Sequence, residues 1–313
     1  MSSPTQFLAP ELADILIVGG GPAGITSALS VARNVHTAVD GKNPIAFRDA
    51  ARQNTLDNYE SVFFQDVEIK QAKKNNDGVF ELTDENGKVW KGKALVLATG
   101  IIDIPVDIPG FDECWGRSIF HCLFCHGYEQ RGSASSGVLA IGDVAPVPLA
   151  LHVSRNAAQL TKSVTIYTNG DASRAAEIQA GIGSVAPFTV DSRRITKFVL
   201  GPNQIGLTMC FEDGSSKEEA FLSHKPKSKI KSSFLAEQLG LELTPQGDLK
   251  VNPPFGDTNL SGCFAAGDNS SFLKTSPNAV NSGANSAAGT ASHVQSRLYG
   301  QESLGEFMQK MQK

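Results

Sequence analysis

Two cysteines separated by two residues, Cys122-Leu123-Phe124-Cys125, are the part of this sequence best suited to covalent chemistry. The spacing lets two thiols close a disulfide across a single turn, and a helix amino terminus at that point lowers a thiolate pKa. Half of a zinc site is the rival reading, but zinc needs two more ligands, usually a second such pair. Cys114, Cys210 and Cys263 show no partner pattern, and His121 and His126 sit too close to the pair in sequence to complete a tetrahedron comfortably. The expected chemistry is therefore thiol–disulfide exchange with no metal. His126 directly follows the second cysteine. An imidazole there titrates near neutrality, so it can take a proton from a thiol and return it to a leaving thiolate. The bland alternative is a solvated histidine at a helix start. His121 is a weaker candidate for the same role, and His36, His152, His224 and His293 have no chemical context.

A second constellation is Gly19-x-Gly21-x-x-Gly24, with Pro22 and Ala23 between the last two glycines. The first glycine permits a sharp turn, the second lets backbone N–H groups approach a pyrophosphate, and the third lets helix and strand pack closely. Such a motif binds a dinucleotide only where a strand precedes it and a helix follows; otherwise it is a structural turn. It also calls for an acid about 20 residues on to hold ribose hydroxyls. Asp40 stands at that distance, and an ordinary turn aspartate is the competing reading.

Elements of the right kind surround both constellations. Asp14–Val18 is a short apolar, β-branched run that reads as a buried parallel strand, and Ile25–Arg33 carries apolar residues at helical spacing. A strand is expected at His36–Val39, a helix at Pro44–Asn58, strands over Ser61–Ile69 and Gly78–Thr83, and a hairpin turn at Asp84–Gly87 leading into Lys88–Trp90. Ala94–Ala98 is another buried strand, closed by Thr99-Gly100. A second unit is expected to begin near Trp115. Its strands are Gly137–Ile141 and Ser163–Tyr167, with a helix over Leu149–Leu160 between them. Phe234–Leu241 reads as a helix, Leu249–Val251 as a strand, and Gly262–Ala266 as a buried strand ending in Gly267-Asp268. Ala279–Ser296, rich in alanine and serine, suits a closely packed last helix, and Phe307–Lys313 suits a fraying helix or tail.

Composition sets the outer bounds. The 313 residues allow about two domains. With 28 Lys and Arg against 32 Asp and Glu, the net charge of −4 disfavours a general nucleic-acid binder. The one basic cluster, Lys225–Lys231, reads as a solvated face. No apolar run is long enough to span a membrane, and Met1–Pro10 has no secretory pattern, so the default expectation is a cytoplasmic protein with reduced thiols or a catalytic pair.

Taken in order, the glycine motif, Ala98-Thr99-Gly100, the cysteine pair and Ala265-Ala266-Gly267-Asp268 resemble the low-molecular-weight thioredoxin reductases, within the class-II pyridine nucleotide-disulfide oxidoreductases, over nearly the whole chain. The resemblance implies an α/β fold of two Rossmann-like nucleotide-binding domains, the second inserted in the first. It implies an FAD domain from residues 1–114 and 252–313, and an NADPH-domain-like unit at 115–251 carrying the cysteines. Gly19, Gly21, Pro22, Ala23, Gly24, Asp40, Thr99, Gly100, Gly267 and Asp268 would then contact FAD, with Asp268 at the ribitol and phosphate region. Cys125 matches the flavin-proximal thiol and Cys122 the thiol that exchanges with substrate. A homodimer is also implied.

Cys122-Leu-Phe-Cys125-His126-Gly127-Tyr128-Glu129 is more closely similar to the fungal dithiol oxidases, as in gliotoxin biosynthesis. Conventional thioredoxin reductases carry Asp at the position of His126, a second glycine motif and arginines for NADPH. Here the corresponding strand ends in Gly142-Asp143-Val144-Ala145-Pro146, and the next in Tyr167-Thr168-Asn169-Gly170, without an arginine for a 2′-phosphate. The implied reaction passes electrons from a substrate dithiol to the cysteine pair, to FAD and to O2, and closes the disulfide of an epipolythiodioxopiperazine-type toxin. One departure stands out. Only Gly41, Lys42 and Asn43 separate Asp40 from the helix at Pro44, where family members carry a long segment. The short segment motivates one alternative, a flavin-free pseudoenzyme or interaction protein, and the conventional NADPH-dependent disulfide reductase is the other.

Overall fold

The structure, a computed structural model, describes residues 11–32, 44–184 and 186–311. The strand expected at 36–39, and Asp40 with it, lie outside the described residues. Two compact units emerge, one formed by Met1–Ile102 with Lys229–Lys313 and the other by Asp103–Ser228.

The first unit opens with β1 (Ala13–Val18), α1 (Pro22–Ala32) and α2 (Pro44–Asn58), followed by β2 (Ile69–Lys74), β3 (Phe80–Asp84), β4 (Val89–Leu97) and β5 (Ile101–Asp103), whose last residue opens the second unit. The second unit continues with α3 (Phe111–Cys114), β6 (Ile119–Phe120), α4 (Leu123–His126), β7 (Ser133–Leu139), α5 (Val147–Ala157), β8 (Thr161–Tyr167), α6 (Ala172–Gly181) and β9 (Phe188–Asp191). It closes with β10 (Ile195–Leu200), β11 (Leu207–Phe211), β12 (Ser216–Glu219) and β13 (Leu222–Ser223). The chain returns through β14 (Ser228–Ile230), which pairs with β5, to α7 (Ser233–Gln238), β15 (Cys263–Ala265), α8 (Ser276–Tyr299) and α9 (Leu304–Met311).

In the first unit β4 is central. It pairs in parallel with β1 from Ala13↔Gly92 to Val18↔Leu97, and with β15 from Cys263↔Leu95 to Ala265↔Leu97. Its first half pairs antiparallel with β3. Ala94–Ala98 is buried throughout, as a strand covered on both faces must be. In the second unit β6, β13, β7, β8 and β9 form one parallel sheet, and β10–β12 an antiparallel one.

Several expectations need correction. The unit boundaries fall at 102/103 and 228/229, not at 114/115 and 251/252. Ile108, Phe111 and Cys114 pack with Ile119, Leu139 and Phe198, which draws α3 into the second core. Leu235, Leu239 and Leu249 pack with Phe80, Leu95 and Cys263, which draws 229–251 into the first. Residues 62–68 are not a strand, because the ladder with β3 begins only at Ile69. Lys88–Trp90 and Ala94–Ala98 belong largely to one strand, β4, and Leu249 makes a single bridge to Leu243.

The contact between α1 and α8 is made without side-chain bulk. A Cβ on Gly283 would lie 2.4 Å from the Ala23 carbonyl oxygen. Buried Ser27 Oγ donates to the carbonyls of Ala23 (2.9 Å) or Gly283 (3.0 Å) and lies 3.0 Å from Ser286 Oγ. Replacing Gly283 by Val should therefore force the helices apart and cost about 1–3 kcal/mol or more. Urea unfolding should show it as a lowered midpoint; an unchanged midpoint would refute this account of the packing.

Candidate functional site

Cys122 and Cys125 are joined by a disulfide, with their Cα atoms 5.3 Å apart. Cys122 is the N-cap of the four-residue helix α4, in extended conformation, and its carbonyl accepts from the N–H of Cys125 and of His126 (both 3.2 Å). His126 is the last residue of α4, not a helix-start residue, and is exposed. Its ring lies flat on Phe120, with 5.8 Å between centroids and planes 12° apart. Phe120 belongs to the second core, so the imidazole is held by a rigid surface. The turn is pressed down by Gly127, whose N–H bonds Leu123 O (2.9 Å) and on which a Cβ would sit 2.7 Å from Leu160 Cδ1. Leu123 packs on the same core. Cys125 stays exposed while Cys122 is half-buried. His121 is exposed and meets the Trp115 ring edge-on. Such a turn can exchange its disulfide with an incoming thiolate.

The second constellation gathers at the carboxyl ends of β1, β4 and β15. Gly19 has a φ of 122°, and a Cβ there would lie 2.2 Å from the Ala98 carbonyl oxygen. A Cβ on Gly24 would lie 2.0 Å from the Gly19 oxygen, whereas one on Gly21 would meet nothing within 4 Å among the described residues. Gly19 and Gly24 thus serve close packing, and Gly21 fronts open space beside the first N–H groups of α1. Thr99 Oγ1 lies 2.6 Å from Ser232 Oγ, and fully buried Asn269 donates to Leu97 O (2.9 Å). Gly267 (φ 85°) donates to Ser282 Oγ (2.9 Å). Lys274, its side chain only 7% exposed, pairs with Asp248 (2.7 Å) and donates to the carbonyl of Asp268 (2.9 Å), fixing the loop that carries that acid. A glycine turn that opens onto the first N–H groups of a helix is the local geometry a dinucleotide pyrophosphate requires.

No family model matches the chain. Individual relatives do. It is 42% identical over 316 residues to thioredoxin reductase tcpT of Claviceps purpurea (strain 20.1), covering 94% of this chain and 98% of that protein. The chain belongs to the thioredoxin reductase family of oxidoreductases. Thioredoxin reductase aclD of Aspergillus oryzae (strain ATCC 42149 / RIB 40) is 41% identical over 309 residues, covering 92% of this chain and 98% of that one. The crystal structure of an oxidoreductase from Agrobacterium tumefaciens superposes with a TM-score of 0.74 at 27% identity, over 92% of this chain and 99% of that one. The Rossmann-like α/β architecture expected of a thioredoxin reductase is the one found.

Within this family fold, Gly19–Gly24, Thr99-Gly100 and Gly267-Asp268 converge in the first unit, and Cys122, Cys125 and His126 in the second. Asp40 is outside the described residues. Cys114 and Cys263 are buried, and burial pushes both thiols up, Cys263 to about 12. Among the described residues no group of three or more His, Cys, Asp or Glu could hold a metal ion, and no helix is long and apolar enough to cross a membrane.

Sequence reasoning passed over His224, whose only signal was its place at the end of the apolar run Phe221–Ser223. It lies at the carboxyl end of β13, beside the Gly142 turn, with Nδ1 3.0 Å from Leu139 O and Nε2 buried without a partner. Burial lowers its pKa to about 4, against the opposing pull of the Leu139 carbonyl and Asp143. Unfolded, the ring takes a proton near its ordinary value of about 6.5. As pH falls from there to about 4, the unfolded chain binds a proton that the folded chain refuses, so stability drops by up to about 3 kcal/mol. Urea unfolding across that interval should show a steeper loss for the natural chain than for His224→Gln; parallel profiles would contradict this.

Proposed function

We propose that the chain is an FAD-dependent dithiol oxidase that closes the disulfide of a small cyclic dithiol of the epipolythiodioxopiperazine type, in toxin biosynthesis and self-protection, with O2 as acceptor. The observation that carries the reading is the contrast between its two nucleotide-type turns. At the β1–α1 turn, Gly21 fronts open space and Ala23 and Gly24 offer first-turn N–H groups. At the β7–α5 turn, Pro146 and Pro148 have no N–H, and the Leu149 N–H is bonded to Pro146 O (2.9 Å). Of the guanidiniums near the ends of β8 and β9, Arg193 pairs with Asp191 (2.5 Å) and Arg174 with Glu177 (2.5 Å), while exposed Arg194, beside Gly170, has no ion pair among the described residues. Asp171 puts a carboxylate at the amino end of α6, accepting from the Arg174 N–H (2.8 Å). These features support a retained FAD site and a lost NADPH site.

In the proposed reaction, one substrate thiolate attacks Cys122 Sγ, the Cys122–Cys125 bond breaks, and Cys125 leaves as a thiolate. The second substrate thiolate attacks the substrate sulfur of that mixed disulfide, releasing Cys122 and closing the product disulfide. His126 takes a thiol proton and returns it to a leaving thiolate. FAD, held at the β1–α1 turn, would supply the two-electron, two-proton acceptor chemistry that returns the reduced cysteine pair to the disulfide, with O2 as the final acceptor and H2O2 as its product. Gly19, Gly21, Pro22, Ala23, Gly24, Thr99, Gly100, Gly267 and Asp268 are the residues assigned to FAD, with Asp40 added from sequence. A homodimer in the cytoplasm completes the reading. The relatives' names favour a second one, an NADPH-dependent reductase.

Flavin-loaded protein should consume O2 on addition of a small dithiol without NADPH. No uptake would sink the proposal, and NADPH consumption with thioredoxin would establish the second reading. Cys125→Ser should abolish turnover, and His126→Ala should slow it by about 10²–10⁴-fold. Gly21→Val should fold with an unchanged urea midpoint yet lose the flavin absorption band; retained flavin would remove Gly21 from the site.

A further inference from the structure

Phe124 is 87% exposed, the most exposed large hydrophobic side chain among the described residues, and Tyr128 is 68% exposed. Both belong to the helical run that carries the disulfide. Their exposure follows from what turns inward. Leu123 packs on the core, and Gly127, four residues on, is buried against Leu160. Phe124 and Tyr128 are each one residue further along, so they share the neighbouring, outward side of the run with exposed Cys125. Tyr128 is held in place: the Arg131 guanidinium carbon lies 4.0 Å from the ring centroid, and Arg131 Nη1 donates to Tyr128 O (2.8 Å). Phe124 makes no ring contact among the described residues.

We propose that Phe124 and Tyr128 form an aromatic docking face that selects small cyclic dithiols carrying an aromatic ring. The inference rests on the dithiol oxidase reading and names the specificity residues of that same site. The occupant follows from the covalent step. A sulfur bonded to Cys122 Sγ brings the body of its carrier to the two residues between the cysteines, of which Leu123 is turned onto the core and Phe124 faces outward. An apolar ring there removes the Phe124 surface from water, and a flat ring can stack on, or meet edge-on, an aromatic side chain whose geometry is already fixed. Arg131 on the Tyr128 ring fixes that geometry in advance, so little ordering is left for binding.

The test separates this face from the oxidase reaction. In full-length Cys125→Ser protein, the Cys122 thiolate attacks one sulfur of a cyclic disulfide, a mixed disulfide forms, and the other substrate sulfur leaves as a thiolate. No flavin or O2 takes part, so the result stands whether or not dithiol oxidation is found. The probes are a cyclic disulfide bearing a benzyl group and its methyl counterpart, with trapping rates followed by intact-mass spectrometry. The benzyl probe should be trapped about tenfold faster. Adding Phe124→Ala should reduce that ratio to about one, Tyr128→Ala should reduce it in part, and Phe124→Trp should restore it. A ratio near one in the parent protein, a ratio untouched by Phe124→Ala, or faster trapping by oxidised thioredoxin than by either probe would overturn the proposal.

Discussion

Backbone packs directly on backbone where β1 turns into α1, and the first unit is built around that approach. Gly24 lies against the Gly19 carbonyl, Gly19 against that of Ala98, and Gly283 of α8 against that of Ala23. Each contact has room for hydrogen and none for a methyl group, which is why glycine occupies all three positions. Ser27 and Ser286 fill the remaining gap with hydrogen bonds, so no buried hydroxyl there goes unpaired. The consequence is functional as well as structural. With α1 drawn tightly onto β1 and α8, its first N–H groups are left at the carboxyl ends of three parallel strands, facing the space that Gly21 leaves open.

The second unit uses the same device for a different end. Gly127 lets the turn after α4 settle against Leu160, and Leu123 anchors the turn from below. A turn fixed on its inner side must present its outer side, and here that side carries Cys125, Phe124 and Tyr128. The disulfide thus lies at the surface of the second unit, with Cys125 exposed and Cys122 half-buried. His126 is held by stacking on Phe120, and no hydrogen bond to its ring is found among the described residues.

The two strand–turn–helix crossings look alike as topology and differ as chemistry. The first has glycines and free helix N–H groups; the second has prolines and carboxylates already paired with the nearby guanidiniums. The first turn leaves the N–H groups of Ala23 and Gly24 at the start of α1, whereas Pro146 and Pro148 at the second carry none. Fold similarity therefore transfers the architecture but not the ligand, and the residues at each turn decide what is bound.

Much of this was readable in the chain itself. Asp14–Val18, Ala94–Ala98, Gly137–Ile141, Ser163–Tyr167 and Gly262–Ala266 are short, largely apolar runs, and each overlaps a strand with a parallel neighbour. The cysteine pair and the glycine motif were legible because their chemistry depends on local spacing. Other features depend on partners far away in sequence. Residues 62–68 have strand-like alternation but no strand pairs with them among the described residues, and the unit boundaries follow from where Phe111 and Leu235 are buried. His224 looked idle until the sheet placed it, unprotonated, beside the Gly142 turn. The sequence by itself determined which elements form and which residues can do chemistry, since propensity, periodicity and spacing are local. The tertiary structure decided which side of each element is buried, and so which sulfur, ring and backbone N–H face outward, because burial is a property of neighbours the local pattern does not name.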